Sequence, residues 1–268
     1  MTNHIGFFQV NFYRSDILLL ALIVSLWAGV SSATQRVTST FELGTVDWTS
    51  GRIKFSAHSS KDLSKDASYQ QMEKSAWAEG VSVAANLSAK IAGDHYKKSV
   101  SDDVISSIKE RASRSVYSRN TYYSSAGSVG VDFEMRLARA LSLEKYDHAP
   151  LPAKEVVGEL SVSGIVFRYH CAASPRADLV LQNNIGEKVF SPASIAKSIY
   201  SDRLVGPWVK KPSRNYISKN LGNSPAEVKV YCTAGGFQVD TGDWASVPAA
   251  ERSLILASGR ILHYLNAE

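Results

Sequence analysis

Cys171 and Cys232 are the residues of this chain best suited to covalent chemistry, and they are its only cysteines. Each closes a strand-like run, residues 162–171 and 226–232. In an oxidising compartment a disulfide between them is the first expectation. Closing a loop of about 60 residues contributes on the order of 4 kcal/mol in the chain-entropy model. Two reduced core thiols, or a metal site completed by His170, are the alternatives, although two Cys and one adjacent His lack the ligand spacing of known zinc sites.

The other reactive residue types are dispersed. Histidines stand singly at 4, 58, 95, 148, 170 and 263, and isolated histidines are surface or satisfied core groups far more often than ligands. Asp47, Asp94, Asp102 and Asp103 could serve acid–base or calcium chemistry. Asp102 and Asp103, however, stand where a helix N-terminus favours negative charge. Trp48 could stack on a sugar, but a Trp at a strand entry more often closes the core beneath it. There is no GxSxG elbow, phosphate-cradling glycine loop or HExxH helix, so hydrolase, nucleotide and metalloprotease signatures are missing. The expectation is a noncatalytic protein without cofactor or metal.

One stretch concentrates charge with aromatic residues. Trp208, Lys210, Lys211, Arg214, Tyr216 and Lys219 gather four cations around two rings, a composition able to contact an anionic glycan, lipopolysaccharide or an acidic protein surface. A solvated loop entering a helix accounts for the same residues. Tyr117, Tyr122 and Tyr123 could present an adhesive edge, or be ordinary strand aromatics.

The compartment is set by the first 33 residues. Residues 17–30 form an apolar run too short to span a bilayer comfortably, and Ser31, Ser32 and Ala33 supply a small-residue cleavage site, the pattern of a secretory signal peptide. The mature chain is expected to start at Thr34, with a retained anchor as the alternative because the n-region carries Arg14 offset by Asp16. No cysteine follows the expected cut, so lipidation is not expected, and no later stretch is apolar enough for a second span. Removing Arg14 and Asp16 leaves 29 basic and 24 acidic side chains, still a net +5. That modest excess suits anionic envelope polymers and falls short of the basic stripe of a nucleic-acid binder. The 44% apolar content is enough for real cores.

The elements follow from periodicity. Ile53, Phe55 and Ala57 alternate as one face of a strand after the turn at 46–51. Gly80, Val83, Ala84, Leu87 and Ile91 keep helical spacing within a helix over 67–92 that Gly93 would stop. Ser99 and Asp102 resemble a capping box before a shorter helix carrying Val104, Ile105, Ile108 and Ala112. Residues 114–123 and 128–137 read as a hairpin with its turn at 124–127. Prolines at 150 and 152 mark a boundary. Beyond it come strands near 162–170, 177–183, 187–190, 226–233 and 236–240, and a helical piece near 193–200. A final helix is expected over 247–265, capped by Ser246 and striped by Leu254, Ile255, Ile261, Leu262 and Leu265. The expected fold is α+β in two domains: residues 34–148, a β-α-α-β-β unit with helices on an antiparallel sheet, and residues 149–268, a mixed strand-rich unit with a C-terminal helix.

The turn and strand at 46–53, the alanine-rich helix over 73–93 and the hairpin strand over 129–137 resemble the twenty-kilodalton lipoprotein (LPP) family of bacterial envelope proteins. The likeness covers residues 46–140. Gly164, Pro175, the Ile185-Gly186-Glu187 turn and the 222–225 turn resemble the domain that follows in many members, with Cys171 standing where a glycine-like residue is expected. Domains of this kind also occur in flagellum-associated outer-membrane and periplasmic proteins. The resemblance implies a periplasmic or outer-membrane-associated structural or assembly role through protein contacts. It implies envelope proteins, further copies of the chain or flagellar components as partners, and it carries over no functional residue. A glycan- or envelope-polymer-binding module is the alternative function.

Overall fold

The computed structural model describes residues 33–59, 67–95, 101–125, 127–141 and 146–266. Residues 1–32 of the expected leader and Ser99 of the expected capping box lie outside them. The fold is α+β, and residues 34–268 pack as one compact unit.

The smaller sheet is built where the sequence alternates. It comprises β2 (Thr38–Phe41), β3 (Gly44–Asp47), β4 (Arg52–His58), β5 (Tyr117–Tyr123) and β6 (Val129–Arg136). All pairings are antiparallel, in the order β2-β3-β4-β6-β5. On β4, Ile53, Phe55 and Ala57 are buried and the residues between them are not. They face Met135, Phe133 and Val131 of β6 in register. Helix α1 (Tyr69–His95) covers this apolar face with Ala76, Val83, Ala84, Leu87 and Ile91. It runs past Gly93, whose position the expected stop overstated. Helix α2 (Asp102–Ser113) buries Ile108 and Ala112 and carries Asp102 and Asp103 in its first turn, where the helix dipole favours them.

Two strands of this sheet precede the expected first one, so the sheet and its two covering helices run β-β-β-α-α-β-β rather than β-α-α-β-β. The polar composition of residues 38–47 hid them: β2 is an edge strand of alternating half-exposed residues, with no apolar face for periodicity to detect.

The larger sheet contains β1 (Gln35–Arg36), β7 (Ile165–Tyr169), β8 (Leu181–Gln182), β9 (Lys188–Phe190), β10 (Trp208–Lys210), β11 (Ala226–Thr233), β12 (Gly236–Val239) and β13 (Ile261–Leu265). Its order is β1-β10-β13-β7-β11-β12-β8-β9. Strands β10, β13, β7 and β11 are mutually parallel. Short helices α3 (Leu137–Leu141), α4 (Lys154–Gly158), α5 (Lys197–Arg203), α6 (Arg214–Leu221), α7 (Thr241–Ser246) and α8 (Ala249–Ala257), with a single 3-10 turn at Pro192–Ser194, complete the described elements.

The expected C-terminal helix over 247–265 is corrected. Val247 and Pro248 separate α7 from α8, and Gly259, at φ 65°, ends α8. The Arg260 N–H bonds the Ile255 carbonyl at 3.2 Å and the Gly259 N–H that of Leu256 at 3.0 Å, which together make a Schellman stop. The residues after it, Ile-Leu-His-Tyr-Leu, form β13 between β7 and β10, buried on both faces except at Tyr264. Buried parallel strands are continuous apolar runs, and a short one is indistinguishable from helix by spacing alone.

Strand β1 belongs to the first half of the chain but pairs with β10 of the second, across the boundary expected at 148/149. Thr49 Oγ1 donates to the Trp208 carbonyl at 2.6 Å and accepts from the Val37 N–H at 2.9 Å. Arg136, at the end of β6, pairs with Asp202 on α5.

Candidate functional site

Of the four outer strands, three are short: β1 has two residues, β9 three and β2 four. The fourth, β5, has seven, and all but Tyr117 are exposed. Its pairing partner is β6 on one side, and no strand pairs with its other side among the described residues. Such an edge is a template for another chain unless Pro, Lys or a bulge blunts it. The sequence of β5 is Tyr-Ser-Arg-Asn-Thr-Tyr-Tyr, with one charge and no proline. Its register shifts between Ser118 and Asn120, which leaves Asn120–Tyr123 in regular pairing with Asp132–Val129.

The local sequence fixes how β5 presents its rings. Tyr122 lies over Gly130, where an added Cβ would come within 2.2 Å of the ring, and it meets His58 edge-on at 5.9 Å. A side chain at 130 would expel it. Tyr123 projects to the helix side, donates its hydroxyl to Glu73 and meets Tyr69 edge-on at 5.2 Å. Tyr69, Tyr122 and Tyr123 are 60%, 40% and 54% exposed, Tyr69 and Tyr123 together on the helix side of the strand and Tyr122 on its other face.

The N-terminal part of β5 is held by a charge cluster. Glu134 of β6 is buried and accepts from Tyr117 Oη at 2.6 Å and from Arg119 Nε at 3.0 Å, with Arg52 Nη1 at 2.9 Å. Arg52 also donates to the Tyr117 hydroxyl. Burial opposes ionisation of Glu134, but the hydrogen bonds from Arg119 and Tyr117 and the charges of Arg119 and Arg52 outweigh it, so its carboxyl titrates below its ordinary value. Burial and Glu134 raise the Tyr117 phenol. The cluster anchors β5 rather than forming a reactive site, since every polar end of Glu134 is already engaged.

The residues expected to form a partner-binding patch separate in the structure. Trp208 is corrected: it is 1% exposed, stacks on His263 at 4.4 Å and packs against Tyr169 at 5.3 Å. It lies inside because β10 packs between β1 and β13, with both Trp208 and Val209 buried. Lys210, Lys211 and Arg214 are exposed at the end of β10 and the start of α6, and Lys219 is exposed in the last turn of α6, where a cation complements the dipole. Tyr216 is half-buried on α6 and lines a cleft of about 200 Å³ with Trp48, Thr49, Ser50, Asp202, Arg203 and Asn220. Trp48 is itself buried and donates Nε1–H to Ser39. Asp47 accepts from the Thr49 and Ser50 N–H groups, each at 3.0 Å, which shapes the turn at the cleft.

Cys171 and Cys232 form a disulfide, with Cα atoms 5.8 Å apart. The pairing follows from register: Tyr169 lies opposite Val230 on parallel neighbours, and each cysteine sits two residues further on. His170 beside it meets the Tyr231 ring at 5.7 Å. Among the described residues no three His, Cys, Asp or Glu side chains converge as metal ligands, and no helix is long and apolar enough to cross a membrane.

His263 is a satisfied core histidine, as an isolated histidine usually is. It is fully buried on β13, with Nε2 2.8 Å from the Val205 carbonyl and Nδ1 3.1 Å from the Tyr169 hydroxyl. A carbonyl only accepts, so Nε2 carries the proton and Nδ1 accepts from Tyr169. Burial lowers its pKa to about 4. It is a neutral core hydrogen-bonding group enclosed by aromatic rings.

The chain matches no protein-family model and no curated protein. Fold and site together define an α+β protein with a long open edge strand, an exposed cationic corner and a disulfide across the ends of its parallel strands.

Proposed function

We propose that this protein is a noncatalytic structural or assembly component of the bacterial envelope, acting through protein–protein contact along β5. The observation that carries the reading is the open edge of β5, regularly paired over Asn120–Tyr123 and carrying the exposed Tyr122 and Tyr123. Strand addition takes affinity from main-chain hydrogen bonds and specificity from alternate side chains, and β5 offers both. The apolar run and small-residue cut before Thr34 support export to the periplasm without lipidation, and a disulfide is compatible with that compartment. The resemblance of residues 46–140 to the LPP family supports an outer-membrane-associated setting, with envelope proteins, further copies of the chain or flagellar components as partners. Co-purification from chemically crosslinked envelopes tests this: recovery with a defined protein at fixed stoichiometry is expected, and recovery with glycan fragments alone contradicts it.

The glycan-binding alternative is favoured by one observation, the cleft beside Trp48 lined by Ser50, Tyr216 and Asn220. Hydroxyl and amide groups converging on a small concave site are suited to a polar ligand. Retention on an envelope-glycan resin that Tyr216→Ala abolishes would support it.

A further inference from the structure

The free side of β5 has a definite hydrogen-bonding register. The Ser124 N–H bonds the Ser128 carbonyl at 2.8 Å, whereas Val129 turns its backbone the other way: its carbonyl accepts from the Ser59 N–H at 2.8 Å and its N–H donates to Ser59 Oγ at 3.1 Å. Bonded pairs alternate along an antiparallel ladder. Tyr122 with Gly130 and Asn120 with Asp132 therefore exchange bonds between β5 and β6, while Thr121 and Tyr123 direct their N–H and C=O groups away from the sheet. Helix α1 begins above this edge. Glu73 accepts from the Tyr123 hydroxyl, Tyr69 meets the Tyr123 ring and Trp77 meets Phe133 edge-on at 5.2 Å. The helix then crosses the sheet, with Gly80 against Phe133 of β6 and Leu87 against Gly44 of β3. Residues 120–124 of the edge, Asn-Thr-Tyr-Tyr-Ser, carry no charge.

On the reading of β5 as the contact strand, we propose that its partner is β5 of a second copy of the chain, paired antiparallel about a two-fold axis at Tyr122. In that register Thr121 faces the partner's Tyr123 and Tyr123 the partner's Thr121, so every outward N–H and C=O of these residues is used. Tyr122 meets the partner's Tyr122 in the close, non-hydrogen-bonded position, at a Cα separation of roughly 4.5 Å, where aromatic pairs are favourable. No like charges are opposed along the strand: Arg119, its one charged residue, is held by Glu134. An isologous axis perpendicular to the sheet makes one continuous sheet with both α1 helices on the same side. A lone extended segment would satisfy the same backbone groups but bring no second layer over Tyr69 and Tyr123, which are 60% and 54% exposed. A second copy brings its own Tyr69, Tyr123 and α1 to that side.

Sedimentation equilibrium of the purified exported protein tests this and should give a dimer. Thr121→Pro removes the outward N–H without touching a bond to β6, and proline is tolerated on an edge strand when its N side faces solvent. The two hydrogen bonds lost across the axis should weaken dimerisation about thirtyfold, and circular dichroism reports whether the variant is folded. Tyr122→Cys reads the register independently. Its thiols would face each other across the axis at a separation suited to a disulfide, so oxidised glutathione should link two chains at 122, as peptide mapping shows, and should leave Lys90→Cys unlinked. A monomeric parent, a folded Thr121→Pro variant that dimerises as tightly as the parent, or a dimer whose chains do not link at 122 would overturn the proposal. If Thr121→Pro is unfolded, the link at 122 decides. Adducts of a different protein at position 122 in cells, with a monomeric parent, would remove the second copy and leave β5 as the contact strand.

Discussion

Acidification should destabilise this protein through His263 well before its surface carboxylates are protonated. In the unfolded chain the imidazole titrates near 6.5, whereas in the folded protein burial holds its pKa at about 4. The folded state therefore binds a proton less readily. Stability is complete above about 6.5, falls as pH drops through the interval between the two values, and levels off below about 4. At 1.36 kcal/mol per pH unit, that interval is worth roughly 3 kcal/mol, a large share of the ~5–15 kcal/mol typical of a folded protein. Urea unfolding at pH 7.5, 6, 5 and 4 measures the loss. His263→Gln isolates it, because the amide keeps an N–H for the Val205 carbonyl and does not titrate. The parent should lose about 3 kcal/mol more than the variant between pH 7.5 and pH 4. Equal losses, or an imidazole resonance in the folded protein that titrates near 6.5, would refute the reasoning.

Three further outcomes follow from the packing. Gly80→Ala should destabilise by about 1–2 kcal/mol although alanine is the better helix former, because the new Cβ would stand 2.3 Å from the buried Phe133 ring, itself confined by Phe55 and Trp77; a raised urea midpoint would contradict this. Replacing Cys171 and Cys232 with serine should cost roughly 2–5 kcal/mol, and thiol labelling of the denatured, unreduced protein should find neither cysteine free. Glu134→Gln should lower stability by about 1–3 kcal/mol at neutral pH by leaving Arg52 and Arg119 short of a carboxylate. Because the folded Glu134 carboxyl titrates below its ordinary value, that advantage should be present above the ordinary carboxylate range and vanish as pH falls through the folded value. Unfolding curves of parent and variant that stay equally separated in strong acid would contradict it.

The legible parts of this fold are those whose neighbours in space are also neighbours in pattern. Ile53, Phe55 and Ala57 alternate because one face of β4 meets α1, and Gly127, at φ 78°, marks the turn between β5 and β6. The cysteines are recoverable because each lies at the end of a strand-like run, Cys171 just beyond β7 and Cys232 in the last pairs of β11 with β12. The C-terminus misleads because Leu254, Ile255, Ile261, Leu262 and Leu265 keep a helical spacing across a helix, a glycine stop and a strand; Gly259 and the β-branched and aromatic content of β13 are the better signals. Trp208 sits among lysines and looks exposed, yet β10 is buried on both faces at Trp208 and Val209 and reaches solvent only at its end, Lys210. Contacts such as Thr34 with Ser213 and Thr49 with Trp208 leave no local trace. They depend on how two sheets meet, and the cationic corner and the cleft beside Trp48 are products of that meeting.

The proposed contact of this protein with its partner runs along β5. A photo-crosslinking amino acid placed at Tyr122, exposed on the open edge, tests it in intact cells, with the same group at Lys90 on α1 as the comparison. Discrete adducts of defined mass from position 122 and none from position 90 are predicted. Position 122 giving no adduct, or both positions giving the same products, would contradict it.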